Sequence, residues 1–416
     1  MKKTDKVIVV GIVLTVFFIR YIQVFYEAWY IFDVFLLTYI IYSSFNSLRF
    51  SRLKFLLISI LSVALLIIIG LNVIRFGLGE IFLDNILMVF TPLTLILYFS
   101  YLLKKYSLQV NLELGRRLLY FLNVYFWINA IIIVIQYITG SFLMGRFLSW
   151  GMYDFDHMTG FIGPFGTGIL LVFWSVLPIA NIVFYLITRN KKWLSNFYLQ
   201  LPIMIMLSFF NEAKSFLPTV LIFLSFFIPY MIMKIQFNVK VVIKVVSLFM
   251  IIGLIGTVLY QQLEVFKDLI DKMFELGEQF LMGAQLDTNN ERAYLNYLAW
   301  NYYGGGSLGI GINTVDFDTQ LIHKNLGINS LSLLLIHGGI WYFIIVVMIY
   351  SWCATNGVQT KFNMKAFVLY LIFLVIFFYL SLITQPFRDH YIMFMLGALV
   401  YYLSIYQKYK YSIEGN

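Results

Sequence analysis

FLLISILSVALLIIIGLNVI, residues 55–74, is twenty residues without a charge, bracketed by Lys54 and Arg75. At a rise of 1.5 Å per residue a helix of this length covers about 30 Å, the hydrocarbon thickness of a bilayer. The run is continuously apolar rather than alternating, which points to a helix and away from a membrane β-barrel. Working outward, eleven further segments repeat the pattern: 7–24, 28–43, 81–103, 118–138, 166–187, 195–210, 216–233, 243–260, 328–350, 366–383 and 391–406. The expected fold is an all-α polytopic membrane protein of about twelve transmembrane helices.

Composition agrees. Of the 416 residues, 61% are hydrophobic, 19% aromatic and only 12% charged. A soluble domain carries about 25% charged residues, so this chain has too little charge to cover a water-facing surface. A soluble enzyme, a disordered chain and a nucleic-acid-binding domain are excluded together. The single cysteine, Cys353, rules out an internal disulfide and a Cys-rich metal cluster. The opening MKKTDK followed by Val7–Phe18 has the order of a signal peptide. No small-residue cleavage site follows, so the segment is expected to be a retained first span.

Charge position sets the expected orientation. With the N-terminus inside, 20 of the 29 Lys and Arg residues fall on the cytoplasmic side, among them Lys2, Lys3, Lys104, Lys105, Arg116, Arg117 and Lys408. Every second loop is basic, as the positive-inside rule requires. The net charge of +9 is thereby explained by topology, and no nucleic-acid partner is needed. Both termini are expected to be cytoplasmic.

Two outer segments are long, 139–165 and 261–327. The second divides the chain into helices one to nine (1–260), an extracytoplasmic catalytic loop (261–327), and helices ten to twelve with a tail (328–416). A loop of this length is functional or disordered, and its richness in Leu, Phe, Tyr and Trp argues for order. Residues 262–283 read as an amphipathic helix and Glu291–Tyr303 as a second short helix.

Several constellations there could carry chemistry. Arg292 would sit in the first turn of the second short helix, where a guanidinium and open backbone N–H groups together suit a phosphate; a surface Arg paired with Glu291 or Asp287 is the plainer reading. The run Gly304-Gly305-Gly306-Ser307-Leu308-Gly309-Ile310-Gly311 lacks the strand–loop–helix setting of a nucleotide cradle and reads as a flexible turn returning the chain to the membrane. His323, a few residues before the tenth span, has a ring suited to accept a hydroxyl proton, or to anchor at the interface. His337 is expected to be buried within a span, and the other histidines lie in outer segments. In the tight turn Asn211-Glu212-Ala213-Lys214-Ser215, Lys214 is either functional or paired locally with Glu212. Arg146 and Arg388 are further outer cations, and Trp150, Tyr153, Tyr294 and Trp300 are sugar-stacking or belt aromatics. No histidine pair has zinc-ligand spacing, so neither a metal nor a cofactor is expected.

Together, a basic residue in a tight outer turn, a long outer loop that opens with Arg and closes with SLGIGINT (307–314), and a His before NSLSLLLIHGGIWYFI (329–344) resemble the O-antigen polymerase and O-antigen ligase superfamily. HMTGFIGPFGTGILL (157–171) is similar to that family's Thr-Gly-Phe/Leu-x-Gly-Pro-Asn stretch, with Phe165 where Asn is common. The resemblance covers roughly 145–345. It implies metal-independent transfer of a glycan from undecaprenyl diphosphate to a sugar hydroxyl, on the outer face of the bacterial cytoplasmic membrane. Arg292 matches the family's loop arginine. Lys214 matches the basic residue of its Ser-Arg turn, here followed by Ser. His323 matches the family histidine, with Asn325 displaced by one position and a longer gap to Gly338-Gly339.

On that reading Arg292 and Lys214 hold the diphosphate, with Arg146 and Arg388 as candidates for a second site. His323 removes the acceptor proton, and Glu291 is the runner-up base. The partners implied are undecaprenyl-diphosphate-linked oligosaccharide, membrane lipid, and a chain-length regulator and flippase of the same pathway. Polymerisation of repeat units is the first expectation and ligation to lipid A–core the second. A transporter or flippase is the rival from another class, but the chain has no clear two-halves repeat and its ionisable residues cluster in outer loops rather than mid-span. A non-catalytic accessory subunit is a further rival.

Overall fold

The computed structural model describes residues 2–19, 26–45, 52–140, 158–163, 167–210, 216, 307–313, 330–356 and 389–414. All regular structure among them is helical. In chain order the helices are α1 (Lys3–Leu14), continued by a π-turn at Thr15–Ile19; α2 (Tyr26–Phe45); α3 (Arg52–Phe76); α4 (Phe82–Phe90); α5 (Leu93–Lys105); α6 (Leu108–Thr139); α7 (Thr167–Thr188); α8 (Lys191–Phe210); α9 (Ser330–Asn356) and α10 (His390–Glu414). Five stretches among the described residues are long and apolar enough to cross a membrane: Leu56–Phe76, Phe82–Lys105, Leu108–Thr139, Gly168–Thr188 and Leu331–Cys353.

Two expected continuous spans are interrupted. The span expected over 81–103 breaks at Thr91-Pro92, because proline has no N–H to continue the ladder and its ring crowds the preceding turn. Thr94 and Leu95 instead bond back three residues, to the carbonyls of Thr91 at 3.1 Å and Pro92 at 3.2 Å. The Tyr350 hydroxyl donates to the Val89 carbonyl beside the break. The span expected over 328–350 kinks within α9, where Gly339 adopts φ 70° and ψ −170°. In a bilayer such breaks survive only where neighbouring groups take up the released backbone polar atoms.

α10 runs between α5 and α7 and packs along both. Tyr401 and Tyr402, both fully buried, donate to Asn111 and to the Gly115 carbonyl of α6. Phe99 of α5 meets Phe394 of α10 edge-on at 5.3 Å. α3 is the opposite case: Leu66, Ile67, Leu71 and Ile74 are exposed, Ile74 at 82%. An apolar helix with its side chains outward is what a lipid-facing position requires.

Both ends of the chain meet at one end of this bundle. The Lys2 N–H donates to the Tyr106 hydroxyl at 3.1 Å, and the Lys408 ammonium to the Leu103 carbonyl at 2.6 Å. Asp5, fully buried, takes the Lys105 ammonium at 2.8 Å and the hydroxyls of Tyr39 and Tyr106. Burial alone would raise the Asp5 pKa; the bonds from Lys105, Tyr106 and Tyr39 outweigh it and hold the carboxyl below its ordinary value. With Lys104 also on this last turn of α5, this is the basic end.

Candidate functional site

Arg146, Lys214, Glu291, Arg292, His323 and Arg388 all lie outside the described residues, as do the helices expected over 262–283 and 291–303, the spans expected over 243–260 and 366–383, and all but the first residue of the span expected over 216–233. What is described is the chain flanking these candidates. Those flanks gather at the bundle end opposite Lys105 and Lys408.

The first flank is Ser307–Asn313, the close of the long outer loop. It is a turn, as expected, but it is clamped. Asn72, in the last turns of α3 and 1% exposed, donates through Nδ2 to the carbonyls of Leu308 at 3.2 Å and His337 at 3.0 Å. Its Oδ1 accepts the Ile312 N–H at 2.9 Å. Asn85 of α4 donates to the Ile312 carbonyl at 2.6 Å. The Ile310 N–H donates to the Ile336 carbonyl at 2.8 Å, one of the groups that the kink of α9 releases. Gly309 has φ +63°, and a Cβ there would stand 2.3 Å from that carbonyl. Only glycine combines the left-handed backbone with that closeness of approach. His337 is buried in its helix, as expected.

The second flank is Met158–Gly163, which follows Arg146 and holds the TGFIG stretch. Two amides of α6 seat it. Asn129 donates to the Thr159 carbonyl at 3.2 Å and accepts the Phe161 N–H at 2.7 Å. Gln136, two turns on, accepts the Gly160 N–H at 2.8 Å. The third flank is Phe216, two residues after Lys214, whose ring meets Trp174 of α7 edge-on at 5.3 Å.

The fourth flank follows Arg388. The Asp389 carboxylate accepts the N–H groups of Tyr391 at 2.9 Å and Ile392 at 3.1 Å, capping α10. His390, expected in an outer segment, is instead the first residue of α10 and is buried. Its Nε2 lies 2.5 Å from Asp33 Oδ2. Thr94 Oγ1, in the first turn beyond the break in α5, donates to the other oxygen of Asp33 at 2.9 Å. Asp33 is 1% exposed. This corrects the expectation that ionisable groups avoid the spans: an acid–imidazole pair is held inside the bundle by three helices. Such a pair can hold or pass a proton, and an isolated charge there would be costly. The signal available in the sequence was the lone aspartate of the apolar segment 28–43. Among the described residues, no cluster of three or more His, Cys, Asp or Glu side chains could hold a metal.

No family model, no curated protein and no solved structure matches the chain.

Proposed function

We propose that this protein polymerises undecaprenyl-diphosphate-linked oligosaccharide repeat units into O-antigen or capsular polysaccharide, at the outer face of a bacterial cytoplasmic membrane, through a twelve-span topology with both termini inside. The observation that carries the reading is the convergence of flanks. Phe216, two residues after Lys214, Asp389 and His390, directly after Arg388, Met158–Gly163, further along the chain from Arg146, and Ser307–Asn313, between Arg292 and His323 in sequence, all lie toward the end of the bundle away from Lys105 and Lys408. TGFIG and SLGIGIN, which contribute to the superfamily resemblance, are two of these flanks.

The chemistry asked of such a site is modest. A polyprenyl diphosphate is already an activated leaving group, so the transition state needs charge stabilisation more than acid catalysis. Fixed cations in a water-poor site supply it more strongly than they would in water. Arg292 and Lys214 would hold the diphosphate, with Arg146 and Arg388 at a second lipid-linked substrate. His323, or Glu291 in its place, would take the acceptor proton. No metal enters this scheme.

A second reading is a lipid or polysaccharide transporter. Interrupted helices beside a buried ionisable pair are features of that class, and here the breaks at Thr91-Pro92 and Gly339 accompany Asp33–His390.

Deleting the gene and analysing the envelope glycan separates these readings. A polymerase mutant still attaches a single repeat unit to the surface acceptor. A bare acceptor with accumulated lipid-linked polymer would mean a ligase. A bare acceptor with single lipid-linked repeats held at the cytoplasmic face would mean a flippase. Restoring the gene as Arg292→Ala should lower polymer formation by about 10²–10³, the usual loss for one stabilising donor at a transition state, with the protein at normal levels in the membrane. Wild-type polymer from that variant would remove Arg292 from the site.

A further inference from the structure

Glycan transfer, as proposed, gives no task to Asp33 of α2 and His390 of α10, which meet inside the bundle. His390 Nε2 lies 2.5 Å from Asp33 Oδ2. Two lone pairs facing each other at that distance would repel, so one hydrogen lies between the atoms. The other carboxylate oxygen accepts Thr94 Oγ1 at 2.9 Å, and the same hydroxyl reaches the Thr91 carbonyl at 2.8 Å. The pair is thereby joined to the break at Thr91-Pro92. Thr91 Oγ1 is itself buried and has no hydrogen-bond partner among the described residues.

The neighbouring titratable groups among the described residues are engaged elsewhere. Tyr350 of α9, within reach of the Asp33 charge, donates to the Val89 carbonyl. Tyr98, one turn beyond Thr94 on α5, donates to the Asp5 carbonyl at 3.3 Å. Asp389 caps α10 through the N–H groups of Tyr391 and Ile392. The Tyr391 ring lies 4.7 Å from Phe17 of the π-turn and 6.3 Å from Phe173 of α7, so those two elements present apolar rings here.

We infer that Asp33 and His390 form a proton-binding site, which holds one proton as a charge-neutral acid–imidazolium pair and exchanges it with water at the end of the bundle away from Lys105. Charge decides the stoichiometry. An ionised Asp33 beside an imidazolium sums to zero. Releasing that proton leaves a negative charge buried, and adding another leaves a positive one; either is costly inside the bundle. The ring is the point of exchange. Its side chain is 10% exposed against 1% for Asp33, and imidazole is the side chain whose charge changes between about pH 5 and 8. The unpaired Thr91 hydroxyl offers an anchor for a water that carries the proton in or out. Thr94 works against binding, because its donated hydrogen bond favours the charged carboxylate. One group each from α2, α5 and α10 meets at the site, so all three helices register its occupancy. The inference stands whether or not the protein transfers glycan.

The test is solid-state NMR of the full-length protein in lipid, labelled with ¹⁵N-histidine and titrated with pH. The chain has four histidines, and the signal missing from His390→Gln identifies His390. In the wild type that signal should show imidazolium at about pH 6 and lose it as the pH rises. Asp33→Asn removes the counter-charge and should lower the proton affinity of His390 about tenfold or more, moving its midpoint to lower pH. Thr94→Val keeps the carboxylate but removes its donor, and should move the midpoint the other way, by about threefold in affinity. Where Asp33→Asn does not assemble, Thr94→Val decides alone. A His390 ring that stays neutral throughout, or a midpoint that neither variant moves in its stated direction, overturns the site. A midpoint that falls when NaCl or KCl replaces choline chloride at equal ionic strength would make it a metal-cation site instead, and overturns the proton assignment.

Discussion

A carboxylate at 1% exposure inside an apolar helix has to be paired, and Asp33 takes Thr94 on one oxygen and His390 on the other. Removing one partner of such a pair strands the other. Asp33→Leu should therefore lower stability by about 3–5 kcal/mol, whereas the double change Asp33→Leu with His390→Leu should recover most of that loss, since an apolar pair fills the space with no buried charge. Thermal unfolding of the detergent-solubilised protein measures both. A double variant no more stable than the single one would mean that the pair is not the interaction holding α2 to α10. Glycan formation by the double variant adds a second answer, because recovered stability with lost product would assign the pair a chemical task. Asp33 was legible in the sequence as an ionisable residue in a span, yet its partner was not. His390 lies 357 positions away, and only the packing of α10 against α5 brings the two together.

Helices read well from the sequence where length and apolarity alone define them. α2, α3, α7 and α10 lie where continuous apolar runs predict them. α6 begins at Leu108 rather than 118, because Glu113 with Arg116 at 2.7 Å and Arg117 at 2.8 Å carries the helix into water beyond the apolar run. The breaks at Pro92 and Gly339 were visible as residue types but not as structure, since proline and glycine also occur inside intact spans: Pro178 and Pro202 sit within α7 and α8. What distinguishes a break is the neighbour that takes the released backbone group, and that is tertiary information. The same holds for the amides joining α6, α7 and α8. Asn123 and Asn181 bond each other at 3.1 and 3.0 Å, and Gln200 donates to Asn123 at 2.7 Å and accepts from Asn181 at 3.2 Å. Interhelical amide bonds within a bilayer contribute about 1–2 kcal/mol each at most. Asn123→Ala should cost about 2 kcal/mol, and replacing all three amides should cost less than the sum of the single changes, because the singles leave unpaired partners and the triple does not. Additive losses in chemical-denaturant unfolding would show the three to be independent.

At the scale of the whole molecule, the contacts of Lys2 with Tyr106 and of Lys408 with Leu103 put the beginning and the end of the chain on the same side. On the proposed topology of twelve spans, an even number of crossings would separate them. The Lys105 contact with Asp5 adds the end of α5 to that side. These contacts do not by themselves choose which side is the cytoplasm. The charge census supports the cytoplasm for that side: on the proposed topology 20 of the 29 Lys and Arg residues would fall on the side of the termini, and cytoplasmic loops are the ones that hold such an excess. Cys353 is buried and the single cysteine, so Cys353→Ser gives a silent background for labelling. On that background Gln285→Cys should react with a membrane-impermeant maleimide in intact cells. Lys3→Cys, at an exposed position of α1, should react only after the membrane is permeabilised. The reverse pattern would invert the molecule and put the clamped Ser307–Asn313 end in the cytoplasm, where an undecaprenyl-linked glycan awaiting polymerisation is not found. Labelling of both positions from the same side would break the span count between them, and with it the assignment of 261–327 to the outer face.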